Sequence, residues 1–287
     1  VIVAREHGFC RGVKNALSLL DKALEEHGDK PVYSIGEIIH NTKVVDRYRG
    51  LGVKTVDSIK EIGSGLGVVR AHGLPASVIA EARAQGFSII DATCPYVRLI
   101  SRILKKEAGK GSKIYLLGEP GHPEVIASTA DFASDVTIID HASFDPERFE
   151  WPKSDAVLLS QTTMAEESFL QLSAEFIKRC RKVTVYNTIC NSTRLRQSSA
   201  VKTAAQVQAM VVIGGKKSSN TKRLAELCGT KVRTIQVESA EELETIDLSG
   251  LDSIGVTAGA STPEESVQEI VDYLKKLSAG SGSPGKK

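Results

Sequence analysis

The chain lacks any apolar run approaching the roughly 20 residues that a membrane-spanning helix needs, so a helical membrane protein is excluded. It also lacks a charge excess: 37 Lys and Arg against 35 Asp and Glu leave +2 over 287 residues, which gives no electrostatic basis for nucleic acid as the main partner. Aromatics are few, at 5%, within an otherwise ordinary globular composition of 41% apolar and 25% charged residues. Five cysteines with no close pair exclude a disulfide framework, and the Cys-x-x-Cys pairs usual in structural zinc sites are absent. No G-x-G-x-x-G opens a βαβ unit and no G-x-x-x-x-G-K-[ST] occurs; GVTAGAS at 255–261 is only a weak echo of a dinucleotide turn. Electrons for any redox chemistry would therefore come from a separate carrier protein. With no basic leader and no apolar signal core, the expected location is the cytoplasm, or the plastid stroma if a transit peptide has been removed. Residues 278–287, Gly/Ser/Pro/Lys-rich, are expected to be a disordered tail.

What is present is a pattern of three. Cys10, Cys94 and Cys190 each sit in a short turn between an apolar strand and a helix, spaced 84 and 96 residues apart. After each cysteine helix a strand runs into a glycine, Gly36, Gly118 or Gly214, lying 26, 24 and 24 residues past its cysteine. Four residues beyond each glycine stands a polar group: His40, His122 or Ser218. A third turn recurs in GVVRAHGLPASVIAEA, AVLLSQTTMAEESFLQL and SIGVTAGASTPEESVQEI. Short β-branched runs alternating with helical stretches predict an α/β fold of small parallel sheets, with strand-end turns gathered in a shared crevice.

In equivalent turns the three cysteines read as metal ligands with one coordination position left open, whereas Cys180 and Cys228 on helix ends read as packed free thiols. A thiolate-only set favours zinc or an iron–sulfur cluster, and spacing does not separate the two. The remaining turns supply short donors: His40, Asn41, Thr42, His72, His122, Thr162, Thr163, Ser218, Ser219, Asn220, Ser261 and Thr262. At helix N-termini such a set suits a phosphate or diphosphate. Glu124, the one carboxylate in GHPEV, reads as a proton donor if burial raises its pKa, or as a simple helix cap.

The motifs GFCRGV around Cys10, IIHN at 38–41, RAHGLP at 70–75, DATCP around Cys94 and GHPEV at 121–125 are followed by four more. These are SQTT at 160–163, NTICNSTRLRQ around Cys190, SSN at 218–220 and GVTAGAST at 255–262. In this order, through nearly the whole chain, they resemble the 4-hydroxy-3-methylbut-2-enyl diphosphate reductase family, the last enzymes of the methylerythritol phosphate route to isoprenoids. The resemblance implies three similar α/β domains, 12–94, 95–191 and 192–277 with the N-terminal strand 1–11, in a pseudo-threefold arrangement around a central iron–sulfur cluster. It implies that Cys10, Cys94 and Cys190 bind a [4Fe–4S] cluster whose fourth iron has no protein ligand and takes the substrate hydroxyl. His40, His72, His122, Ser218, Ser219, Asn220 and Ser261 are then expected to hold the diphosphate, with Asn41 and Thr163 beside them. Glu124 and Thr162, with His122, serve the reacting end, and Glu124 is the proton donor. The implied partners are the small-molecule diphosphate and an external electron donor, ferredoxin or flavodoxin, with neither nucleic acid nor membrane. Two other readings stand against this one. A lyase resembling quinolinate synthase would bind a dicarboxylate and need cavity arginines, where only Arg70 is suitably placed; the other is a zinc-stabilised binding protein.

Overall fold

A computed structural model of the chain describes residues 1–28 and 30–280. In chain order the elements are β1 (Ile2–Val3), α1 (Arg11–Glu26), β2 (Val32–Ile35), α2 (Thr42–Gly50), β3 (Lys54–Val56), β4 (Leu66–Val69), α3 (Ala76–Ala84) and β5 (Ser88–Asp91). There follow α4 (Pro95–Glu107), β6 (Lys113–Leu117), α5 (Pro123–Thr129), β7 (Val136–Ile139), β8 (Ala156–Ser160), α6 (Glu166–Arg179) and β9 (Val183–Val185). The last group is α7 (Asn191–Ala204), β10 (Ala209–Ile213), α8 (Ser219–Gly229), β11 (Arg233–Val237), α9 (Glu241–Glu244), β12 (Ile254–Ala258) and α10 (Glu264–Gly280).

The strands form three four-stranded parallel sheets, ordered β3-β2-β4-β5, β7-β6-β8-β9 and β11-β10-β12-β1. These are one topology written three times, with β1 closing the third sheet through the register Ile2↔Gly255 and Val3↔Val256. Central strands of parallel sheets are covered on both faces, so they read as unbroken apolar runs rather than alternating ones. AVLLS in β8 and AMVVI in β10 are buried at every position. The helices show the complementary pattern. α10 buries Val267, Ile270, Val271 and Leu274, and α4 buries Val97, Ile100, Ile103 and Leu104, the spacing that places one stripe against a sheet.

Two compact units are present. One takes Val1–Cys10, His40–Thr42 and the chain from Asn191 onward, and contains the sheet ending in β1. The other takes Arg11–Ile39 and Lys43–Cys190, and contains the other two sheets. α10 extends through residues 278–280, where a tail was expected, because each added residue gains a backbone hydrogen bond on an existing helix. The rest of that expected tail, 281–287, lies outside the described residues.

The repeat reaches atomic detail in the turns. The glycine directly after β2, β6 and β10 donates its amide to the carbonyl of the last residue of the strand that follows: Gly36 to Val56 at 2.7 Å, Gly118 to Ile139 at 3.0 Å and Gly214 to Val237 at 2.9 Å. All this keeps three polar loops at the carboxyl end of each sheet. Behind them, the packing under β6 and β8 is aromatic. Phe176, wholly buried, meets Tyr115, Phe149 and Trp151 at ring-centroid distances of 4.9, 6.0 and 5.1 Å. Phe176→Ala should lower unfolding free energy by about 3–5 kcal/mol in denaturant titration, the range for an aromatic truncated in a packed core.

Candidate functional site

Each of the three cysteines directly precedes a helix: Cys10 before α1, Cys94 at the N-cap of α4, and Cys190 before α7. All three are reduced and partly exposed. Each donates its amide to a carbonyl two residues past the end of a strand: Cys10 to Ala260 after β12 at 3.0 Å, Cys94 to Ala71 after β4 at 3.0 Å, and Cys190 to Thr162 after β8 at 3.1 Å. The turns before Cys94 and Cys190 are built alike. Three residues ahead of the cysteine, Asp91 accepts from the Thr93 amide at 3.0 Å and Asn187 accepts from the Ile189 amide at 3.2 Å. These are Asx turns, in which a short side chain imitates the next peptide and bends the strand into the helix start. Cys180 and Cys228 are different in kind. Cys228 is wholly buried and its thiol is pushed up to about 11 by desolvation, while burial also raises Cys180. Both stay neutral thiols at ordinary pH.

In the larger unit the polar turns converge on Glu124. His122 caps α5, its Nδ1 accepting from the Glu124 amide at 3.1 Å. A ring nitrogen that accepts an amide hydrogen carries none of its own, so the imidazole proton of this tautomer sits on Nε2. With His122 as the cap, the Glu124 side chain is not one. It is 2% exposed and turns to Thr162, accepting from its amide through Oε1 at 2.6 Å and from its hydroxyl through Oε2 at 2.7 Å. Burial pushes the Glu124 pKa up to about 7, a rise that the Thr162 hydrogen bonds oppose and the charge of Glu119 reinforces. His72 lies edge-on to His122, ring centroids 5.5 Å apart. Thr163, the residue after Thr162, accepts from Gln161 Nε2 at 3.0 Å, and Gln161 Oε1 takes the Glu119 amide at 2.9 Å.

The smaller unit holds the second group. Ser218 caps α8, accepting from the Thr221 amide at 3.3 Å, and Ser219 and Asn220 form the first turn. Ser218, Ser219, Asn220 and Ser261 are all buried. Ser261 donates to the His40 carbonyl at 3.0 Å, and Gly215 lies so close under that carbonyl that a Cβ there would stand 3.1 Å from it. Asn41 follows in the same short segment of this unit. Both ends of the Asn220 amide are buried without a hydrogen-bond partner. Leaving such groups dry costs about 1–3 kcal/mol each.

The family model described as LytB protein matches residues 1–275. This chain belongs to the LytB family. Relatives named 4-hydroxy-3-methylbut-2-enyl diphosphate reductase, from Alkaliphilus oremlandii and Clostridioides difficile, are 35% and 34% identical to it, each over 96% of this chain and 99% of its own length. A solved structure of (E)-4-hydroxy-3-methyl-but-2-enyl diphosphate reductase, the terminal enzyme of the non-mevalonate pathway, is 33% identical with a TM-score of 0.68 over 96% of this chain and 99% of that one. The E-1-hydroxy-2-methyl-but-2-enyl-4-diphosphate reductase of Plasmodium falciparum, 23% identical, shares the fold at a TM-score of 0.88 over 96% and 87%.

Within this LytB chain, one residue beside the site escaped the sequence reading. Arg196 on α7 is 3% exposed and donates through Nη2 to the Gly8 carbonyl at 2.8 Å and through Nη1 to the Ser192 carbonyl at 3.0 Å. It straps the turn that carries Cys10 to the helix that follows Cys190. Its only sequence signal was a basic residue at a helical spacing, indistinguishable from a solvated one. Arg196→Met should cost about 1–3 kcal/mol in denaturant unfolding, from the stranded carbonyls, and should speed amide hydrogen exchange over residues 7–10.

The raised Glu124 pKa also has a stability signature. Folded protein holds this proton up to about pH 7, whereas a free carboxyl releases it near 4.5, so the contribution is complete below about 4.5 and is lost as pH rises to about 7. The loss amounts to at most about 3 kcal/mol. Glu124→Gln, which keeps the shape and cannot ionise, should abolish that slope in unfolding titrations between pH 4.5 and 8.

Proposed function

We propose that this chain reduces (E)-4-hydroxy-3-methylbut-2-enyl diphosphate to isopentenyl and dimethylallyl diphosphate. The observation that carries this reading is the position of Thr162. Its carbonyl accepts the Cys190 amide, while its amide and hydroxyl hold both oxygens of Glu124. One residue thus joins a candidate cluster ligand to a buried acid whose pKa of about 7 suits proton transfer at neutral pH. The names of the LytB relatives supply the substrate.

The donor chemistry fits a [4Fe–4S] cluster on Cys10, Cys94 and Cys190. They are three reduced, partly exposed thiols in equivalent backbone settings at helix starts, where thiolates are favoured, and the chain's other two thiols are held neutral. When bound, such a cluster supplies electrons singly and an electrophilic iron without a protein ligand. In the same reading the three sheets belong to domains at 12–94, 95–191 and 192–277 plus 1–11, each with the same strand order. Five free cysteines fit a reducing compartment such as the cytoplasm, and no described helix is long and apolar enough to cross a membrane.

The chain's own residues then divide the work. Ser218, Ser219 and Asn220 at the start of α8, with Ser261, His40 and Asn41, offer neutral donors to the diphosphate. The unpartnered Nδ2–H of Asn220 donates to it there. His122 presents Nε2–H as a further donor, and His72 and Thr163 extend the set. Because the Thr162 amide can only donate, Oε1 of Glu124 is committed as an acceptor; in the protonated acid the Thr162 hydroxyl turns from donor to acceptor, and the acid proton resides on Oε2. There it faces the Thr162 hydroxyl, which passes a proton on to the departing hydroxyl as it takes one from Glu124. The overall change consumes two electrons and two protons and releases water. Protonation of the remaining allyl fragment at either end gives the two products.

The test is anaerobic purification followed by assay with a reduced viologen. A brown protein with iron and sulfide that converts the substrate is expected; a colourless protein with stoichiometric zinc would overturn the proposal. Cys94→Ser should lose iron and turnover together. Glu124→Gln should keep iron and substrate affinity while kcat falls by about 10² or more, as for loss of a general acid. Near-normal kcat in that variant would remove Glu124 from the proton path.

A further inference from the structure

Helix α4 begins at Cys94 and carries Arg98, Arg102, Lys105 and Lys106 against a single acid, Glu107. In a chain whose total is +2, this one helix holds more positive charge than the whole. Its acid is turned inward: Glu107 is buried, accepts from the Tyr186 hydroxyl at 2.8 Å and from Lys110 at 3.2 Å, and these bonds hold its carboxyl below the usual range. Asp91, at the Cys94 end, is engaged with Arg98 at 3.1 Å. Glu107 also pairs with Lys106 at 3.8 Å, and Lys106 donates to the Tyr186 hydroxyl at 3.4 Å, whereas Arg102 and Lys105 have no ion-pair partner among the described residues.

That outer face has two parts. Tyr96 and Leu99, on successive turns beside Cys94, are 36% and 39% exposed, although the rest of the helix's apolar residues are buried. Beyond them Arg102, Lys105 and Lys106 are exposed. An apolar spot next to the cysteine thus passes into a cationic stretch along a helix about 20 Å long. α5, packed on α4, leaves Ile126 half exposed as well.

We propose that this face of α4 is where the reductant docks, and that the reductant is a small acidic one-electron carrier protein. The inference rests on the reductase reading above. Each turnover needs two electrons, so the carrier binds twice, is oxidised by one electron each time, and leaves. Such encounters use small interfaces, with charge complementarity setting orientation and rate. Tyr96 and Leu99 supply the desolvated centre at the cysteine end, and Arg102 and Lys105 supply the complement to carboxylates. A membrane surface fits poorly, because the exposed apolar residues occupy only the start of the helix rather than a stripe along it.

The test uses the cluster-loaded enzyme with two reductants, reduced plant-type [2Fe–2S] ferredoxin and reduced methyl viologen. In the Arg102→Glu/Lys105→Glu double variant, kcat/KM for ferredoxin at low ionic strength should fall about tenfold or more, and its dependence on salt should flatten. The Kd for oxidised ferredoxin, read by NMR titration, should rise by a similar factor, while viologen-driven turnover and iron content stay at wild-type values. Leu99→Ser, which leaves the charge intact, should slow ferredoxin-driven turnover without changing the salt dependence. Unchanged ferredoxin kinetics and Kd in the double variant, or equal loss with both reductants, would overturn the docking surface while leaving the reductase reading in place. A wild type that reduces the substrate with neither reductant would overturn the reductase reading, and this surface with it.

Discussion

One hydrogen bond, made three times, ties the chemistry of this chain to its fold. The amide of each cysteine is held by a carbonyl two residues beyond a strand end, and the residue after that carbonyl is His72, Thr163 or Ser261. The bond therefore sets the height of each thiol above its sheet and, in the same stroke, the start of the next polar loop. It works because the sheets are parallel: all strands of a sheet deliver their carboxyl ends to the same side, and loops there can meet one another. The glycine turns obey the same rule. Gly36 and Gly214 adopt positive φ angles of 73° and 144°, and Gly214 faces Thr221 and Thr262 so closely that a side chain would displace them.

Glu124 shows where the fold accepts a local cost. A carboxyl taken out of water is stable only when protonated or well paired, and here burial outweighs the two bonds from Thr162. The outcome is an acid poised near neutrality, held rigid by a cap on one side and a threonine on the other. Asn220 is the counterpart at the start of α8, a buried amide whose hydrogen bonds are unmade in the chain alone. Both are unfavourable for folding, and perturbed groups of this sort gather at functional sites.

The apolar runs of β8 and β10, the glycines that end β2, β6 and β10, and the three cysteines were legible from residues alone, because each depends on local preference or on spacing along the chain. The choice between the two roles of Glu124 was not. It needed His122 to occupy the cap and Thr162, 38 residues away in sequence, to lie beside the carboxyl. Arg196 was hidden for a similar reason: only packing decides whether an arginine on a helix meets water or a carbonyl 188 residues distant.

By itself the amino-acid order determined the α/β class, the threefold recurrence of turns and the identity of the groups that can do chemistry, since these follow from periodicity, side-chain type and motif order. Tertiary structure alone decided the strand order that makes the three sheets alike, the burial that lifts one carboxyl to about 7, and the exposure of Tyr96 and Leu99 beside Cys94. Those properties belong to surroundings rather than to residues. Solvation and charge at a side chain are set by whatever the fold brings near it, and most of that comes from far along the chain.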